Sequence, residues 1–160
     1  MKIDITFADI AHREHTAKVI PLGISMIAAY SYKYFKDKLD INIFKSVDEF
    51  IQSIDKKIPK IACFSNYIWN SNLAYQITSR IKSKSPNTII IFGGPNYSLH
   101  DQDEQKEFLS SRPNIDFYIV GEGEVPFVEL LKVIFENDLN IKKIKKKKTK
   151  ITGCHYIYNK

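Results

Sequence analysis

Short apolar runs alternate along the chain with segments of three- and fourfold apolar spacing. Lys2–Phe7 places Ile3, Ile5 and Phe7 on one face of a first strand, the period of two that a half-buried strand shows. A polar loop at 8–20 follows, and Pro21 opens a helix through about Phe35, since proline suits a first helical turn. Ile41–Phe44 predicts a second strand, and Val47 to about Ser53 a short helix. Pro59–Phe64 is nearly all apolar and reads as a third strand, buried on both faces. About Asn70–Ser83 is a helix with Leu73, Ile77 and Ile81 on one stripe. Thr88–Phe92 is a fourth strand, a short helix lies near Asp103–Leu109, and Phe117–Val120 is a fifth strand. The last helix, at about 124–137, turns Phe127, Leu130, Leu131 and Ile134 inward. Ile151–Tyr158 reads as one extra strand.

Strands alternating with helices imply an α/β fold. Parallel strands need crossovers, which are right-handed, and the helices must cover both faces. The expectation is a doubly wound, five-stranded parallel sheet of flavodoxin-like order 2-1-3-4-5 in three layers, α/β/α.

Composition adds little to this. The chain has 160 residues, 44% apolar and 26% charged, enough for one domain with a real core. No apolar run is long enough to span a membrane and no charged-then-apolar leader opens the chain, so a cytoplasmic protein with no membrane partner is expected. The net charge of +6 is local: seven lysines lie between Lys142 and Lys150, and the remainder carries −1. Such a run reads as a solvated linker. Nucleic acid is not expected as a partner, because no aromatic residue interleaves the lysines for base stacking. Cys63 sits in the apolar run Ile61–Phe64, far from Cys154, and the two have no metal-ligand spacing.

The candidate chemistry lies at the carboxyl ends of the strands. Gly93-Gly94-Pro95 follows the fourth strand and Gly121-Glu122-Gly123-Glu124 the fifth, where open α/β sheets place their ligands. Glu122 and Glu124 complement the start of the last helix and would repel a pyrophosphate docking there. A bulky, mostly uncharged ligand fits better. Ser65-Asn66-Tyr67-Ile68-Trp69-Asn70, after the third strand, holds the only Trp. It reads either as a platform for a flat ligand or as a helix-capping segment with Asn70 or Ser71 as the cap.

Taken together, Pro21-Leu22-Gly23, Phe64–Asn70, Gly93-Gly94-Pro95 and Gly121–Glu124 resemble the amino-terminal cobalamin-binding domain of cobalamin-dependent radical SAM enzymes. The resemblance covers about residues 1–140. It implies that Pro21, Leu22, Gly23, Ser65, Asn66, Tyr67, Trp69, Asn70, Gly93, Gly94, Pro95, Gly121, Glu122, Gly123 and Glu124 surround base-off cobalamin. In that scheme Ser65 hydrogen-bonds the nucleotide tail, Gly93 and Gly94 leave space for its dimethylbenzimidazole, the Gly121–Glu124 loop closes the other wall, and Tyr67 and Trp69 lie near the corrin face. The implied organisation is a cobalamin domain over 1–141, then a Lys-rich linker and the start of a downstream domain over 142–160.

Two departures accompany the resemblance. The Asp-x-His-x-x-Gly motif of methionine synthase and mutase domains is absent: Asp9 and His12 are three apart, and residue 15 is His. A histidine lower ligand is therefore not expected, and no catalytic or metal-ligating residue is assigned. The Cys-x-x-x-Cys-x-x-Cys motif is also missing. S-adenosylmethionine and a 4Fe–4S cluster are accordingly expected only in the missing radical SAM domain, the implied partner. The alternatives are a standalone sugar- or nucleotide-sugar-binding transferase domain and a receiver domain. For the latter, Asp4 and Asp9 make a poor acid cluster and Gly121 stands where a lysine should follow the fifth strand.

Overall fold

A computed structural model describes residues 2–11 and 20–158. In chain order the elements are β1 (Ile3–Ala11), α1 (Leu22–Phe35), β2 (Leu39–Ser46), α2 (Val47–Lys56), β3 (Ile61–Ser65), α3 (Ser71–Lys84), β4 (Ile89–Gly93), α4 (Gln102–Ser111), β5 (Phe117–Ile119), α5 (Glu124–Glu136), α6 (Ile141–Lys146) and β6 (Cys154–His155). The sheet order is β2-β1-β3-β4-β5-β6. The first five strands run parallel in the expected order, and β6 adds antiparallel to β5 through Tyr118↔His155 and Ile119↔Cys154.

Alternation along each strand divides the core in two. Ile5, Phe7, Ile61, Cys63, Ile91 and Ile119 face a layer made by α1, α5 and α6, with Phe127, Leu130, Leu131 and Ile134 packed against them. Ala8, Ile10, Ala62, Phe64, Ile90 and Phe92 face α2, α3 and α4, with Phe50, Ile54, Ala74, Ile77 and Ile81 beneath. Each large side chain so buried contributes about 1.5–3 kcal/mol. Helix starts are marked locally as well. The Asp101 carboxylate accepts from the Asp103 and Glu104 N–H groups at 2.9 and 3.0 Å, the usual cap arrangement.

Several boundaries differ from the sequence reading: β2 runs Leu39–Ser46 rather than Ile41–Phe44, and β6 is Cys154–His155 rather than Ile151–Tyr158. β1 runs on to Ala11, because it is flanked by β2 and β3 and its pairing with β2 continues to Ala11↔Ser46 after a register shift. α2 extends to Lys56, beyond the expected Ser53. The lysine run, expected as a linker over 142–160, is partly folded: α6 buries Ile144, and Ile151 and Cys154 join the same core. Asn140 caps that helix by accepting from the Lys143 N–H at 3.0 Å. Among the described residues, no helix is long and apolar enough to cross a membrane.

Candidate functional site

All four glycine- and aromatic-bearing segments lie at the carboxyl rim of the sheet, and hydrogen bonds tie the loops after β3 and β4 together. Ser65 ends β3 and donates its hydroxyl proton to Asp9 Oδ1 on β1 at 2.5 Å. Asn70 Nδ2 donates to Ser65 Oγ and to the Ile10 carbonyl, each at 3.2 Å. Its Oδ1 accepts from the Tyr67 N–H at 2.8 Å. The buried Asn70 side chain therefore closes the 65–70 loop onto β1, in addition to standing before α3. Ser65 keeps one free lone pair and no free proton.

Asn66 is fully buried. Its Nδ2 donates to the Asn96 carbonyl at 2.8 Å and to the Tyr118 hydroxyl at 2.9 Å. Tyr118 in turn donates to the Gly94 carbonyl at 2.8 Å, and the Asn66 N–H donates to the Gly93 carbonyl at 2.7 Å. Gly94 has φ +128°, and an added Cβ would lie 2.7 Å from the Asn66 carbonyl oxygen. The space in front of Gly94 is thus filled by the neighbouring loop.

The other rim glycines divide in the same way. A Cβ on Gly123 would meet Ile27 Cδ1 at 2.5 Å, so that glycine lets α5 approach α1. A Cβ on Gly93 would be 3.3 Å from the Ile119 carbonyl oxygen. Gly23, in the first turn of α1, and Gly121, at φ +73°, have nothing within 4 Å of the same position. Open space therefore lies beside the starts of α1 and α5.

Several large apolar side chains at this end of the sheet are exposed. Leu22 and Val125, at the starts of the two helices, are exposed, as are Ile68, Trp69 and Leu99. The Tyr67 and Trp69 rings stack with centroids 4.6 Å apart and planes 5° apart, and Trp69 remains 62% exposed. Two parallel rings held on a braced loop form a flat apolar wall. Pro95, Gly121 and Glu122 are exposed, Glu124 and Pro21 half-buried. The rim residues singled out from the sequence thus gather at one end of the sheet, with Ser65, Asn66, Asn70 and Gly123 buried beneath the others. His12 and His15 lie outside the described residues.

Sequence reasoning missed the aromatic support behind the rim. Tyr97 stacks on Tyr118 at 4.0 Å, and its hydroxyl meets His155 Nδ1 at 3.1 Å. Burial pushes the Tyr97 hydroxyl up to about 12 and lowers the His155 imidazole, so both stay neutral near pH 7. The cysteines are inert for the same reason: both are buried, which raises the Cys63 thiol well above its ordinary value and Cys154 to about 12. Among the described residues, no three His, Cys, Asp or Glu side chains gather as a metal site.

Exposed aromatic and aliphatic side chains at this end of the sheet, together with the acidic Glu122 and Glu124, suit a large, mostly uncharged ligand better than a compact anion. The cobalamin-dependent radical SAM methyltransferase TokK of Streptomyces tokunonensis is 34% identical over 73 residues, 46% of this chain and 10% of that enzyme. The chain spans about a tenth of the length of the curated relatives it matches. Among solved structures, the cobalamin-dependent S-adenosylmethionine radical enzyme OxsB, with aqua-cobalamin and S-adenosylmethionine bound, superposes on 98% of this chain and 21% of its own at a TM-score of 0.68 and 16% identity. A cobalamin-binding protein from Desulfitobacterium hafniense covers 82% of this chain and 58% of its own, with a TM-score of 0.57 and 12% identity. At those identities the likeness is one of fold. The family model for the B12 binding domain matches residues 10–131, and the chain belongs to that family of cobalamin-binding domains.

Proposed function

We propose that the carboxyl rim holds cobalamin base-off, in a module serving a radical SAM domain elsewhere in a longer protein. The observation that supports this most directly is the open space beside Gly23 and Gly121, at the end of the sheet that also carries the Tyr67–Trp69 stack. Bound cobalamin supplies cobalt-centred methyl-transfer or redox chemistry that no side chain offers.

The protein's part is binding and exclusion of water. Pro21, Leu22 and Gly23 form one wall, Gly121–Glu124 the other, and Tyr67 with Trp69 a flat apolar face. Gly93-Gly94-Pro95 shapes the floor, with Asn66 locked beneath it. Ser65, its proton committed to Asp9, offers a lone pair to an amide N–H of the ligand. His12 and His15 lack the spacing of a lower axial ligand, and none is assigned. Three thiolates on one loop are needed for an S-adenosylmethionine-cleaving cluster. Cys63 and Cys154 are buried and on different strands, so S-adenosylmethionine and the 4Fe–4S cluster belong to the separate domain. Ile144, Ile151 and Cys154 in the core support a junction to that domain beyond β6 rather than at residue 141.

Mixing the protein with hydroxocobalamin and recording the ultraviolet–visible spectrum tests this reading. A shift of the corrin bands toward the base-off form is expected. A bound spectrum that keeps the base-on form would refute the base-off assignment while leaving cobalamin binding intact.

A further inference from the structure

The amino ends of the strands, opposite the cobalamin rim, carry a second concavity of about 1240 Å³. Five lysines line it, Lys60, Lys82, Lys142, Lys145 and Lys146, against two aspartates, Asp116 and Asp138. The lining thus has a net charge of +3, although the chain without residues 142–150 carries −1. Folding has gathered part of the lysine run onto one groove.

These lysines are not equivalent. Lys82 is satisfied by the protein: it donates to Asp116 Oδ2 and the Thr88 carbonyl, each at 2.8 Å, and to the Pro86 carbonyl at 3.4 Å. Its role is to serve carbonyls beyond the carboxyl end of α3. Asp116 Oδ2 accepts from the Ile90 N–H as well, at 2.9 Å. Lys145 is different. Its side chain is only 14% exposed, and its ammonium lies 3.8 Å from Asp116 Oδ1, too far for a hydrogen bond. The ammonium also lies 5.9 Å from the Phe117 ring centroid, and its N–H donors are free to meet an acceptor in the groove. Burial lowers the Lys145 pKa, opposed by Asp116 and reinforced by Lys82.

Lys142, Lys145 and Lys146 share one face of α6, three and four residues apart, while Ile141 and Ile144 turn toward the core. Like charges at that spacing repel, and an anion lying across them relieves the repulsion. The two lysines flanking Lys145 are exposed at the mouth. One aromatic ring, that of Tyr158, 46% exposed, also lines the groove.

We propose that this groove is a binding site for a polyphosphate anion, gripped by Lys142, Lys145 and Lys146. The shared chemistry is a chain of phosphoryl groups, free or attached to a nucleoside. The site is separate from the cobalamin rim and does not depend on it.

Calorimetric titration of the 160-residue chain with sodium tripolyphosphate and with ATP, at about physiological ionic strength, tests the proposal. Saturable binding of tripolyphosphate at one site is expected. The triple variant Lys142→Gln/Lys145→Gln/Lys146→Gln should weaken it by about tenfold or more, whereas Lys143→Gln/Lys147→Gln/Lys150→Gln, with the same charge removed outside the groove, should stay within about twofold. Should the first triple variant misfold by circular dichroism, the exposed pair Lys142→Gln/Lys146→Gln replaces it, with a smaller loss expected in the same direction. Tyr158→Ala separates the sources: a loss for ATP alone identifies a nucleotide, and unchanged binding of both identifies the phosphate chain itself. Equal weakening by the two triple variants, binding only to an RNA oligonucleotide or anionic vesicles, or no binding of tripolyphosphate to the unaltered chain would overturn the site.

Discussion

Gly94 and Asn66 interlock so closely that a Cβ on Gly94 would stand 2.7 Å from the Asn66 carbonyl oxygen and 3.0 Å from its nitrogen. The β4 turn and the loop after β3 are thereby fixed as one unit, with Tyr118 bonded to both. Gly94→Ala therefore acts first on the fold. The clash and the φ of +128° together should cost about 1–3 kcal/mol, read as a lower urea midpoint without any ligand. An unchanged midpoint would show that the glycine is kept for ligand space instead.

Gly23 behaves in the opposite sense. An added Cβ meets no protein atom within 4 Å, and leucine favours an exposed helix over glycine by about 0.5–1 kcal/mol. Gly23→Leu should leave the protein as stable or slightly more so, while weakening cobalamin binding by about tenfold, or 1.4 kcal/mol. Unaltered affinity in a folded variant would place the ligand away from α1.

Trp69 is the only tryptophan and is well exposed on its Tyr67 stack. Cobalamin absorbs broadly, so its binding should quench the single tryptophan emission in a saturable way. Trp69→Ala should change stability by no more than about 0.5 kcal/mol yet reduce affinity. Full affinity in the alanine variant would remove this ring from the site.

Asn70 holds three hydrogen bonds in a buried position. Asn70→Ala leaves the Ser65 and Tyr67 partners short and should destabilise the chain by about 1–3 kcal/mol. Faster amide exchange at Tyr67 is the accompanying sign of a loosened loop. Slow exchange in the variant would mean that the Ser71–Tyr67 backbone bond is enough to hold the turn.

His155 gives a pH dependence with a definite sign. Burial lowers its pKa from 6.5 in the folded chain, so on acidification the unfolded chain takes up the proton first. The contribution is fully present above pH 6.5 and is lost as pH falls from there through the lower folded-state value. Urea midpoints measured across that window should fall for the unaltered chain, and His155→Gln should flatten the slope. An identical slope in the variant would assign the effect to other groups.

Strand positions were legible because β3 and β4 are apolar on both faces and the helices between them carry clear stripes. Ala8, Asp9 and Ile10 were not read as strand, since an aspartate interrupts the apolar pattern and only pairing with neighbouring strands keeps it extended. α6 was hidden by charge. Two apolar residues, Ile141 and Ile144, decide its orientation among the six lysines from Lys142 to Lys148 that look alike in sequence.

The rim was legible as a set of loops but not in its division of labour. Gly94 and Gly23 are both glycines beside a proposed ligand, yet one is filled by Asn66 and the other faces open space. That difference arises from contacts between segments distant in sequence, as does the Tyr97–Tyr118 stack. No local pattern reports either.

Gel filtration of the protein after mixing with excess hydroxocobalamin tests the central claim most directly. The account predicts corrin absorbance under the protein peak at about one cobalamin per chain, since such sites are few per protein, and a much smaller amount for Gly23→Leu at equal protein. A folded, unaltered chain that elutes free of corrin absorbance would contradict it.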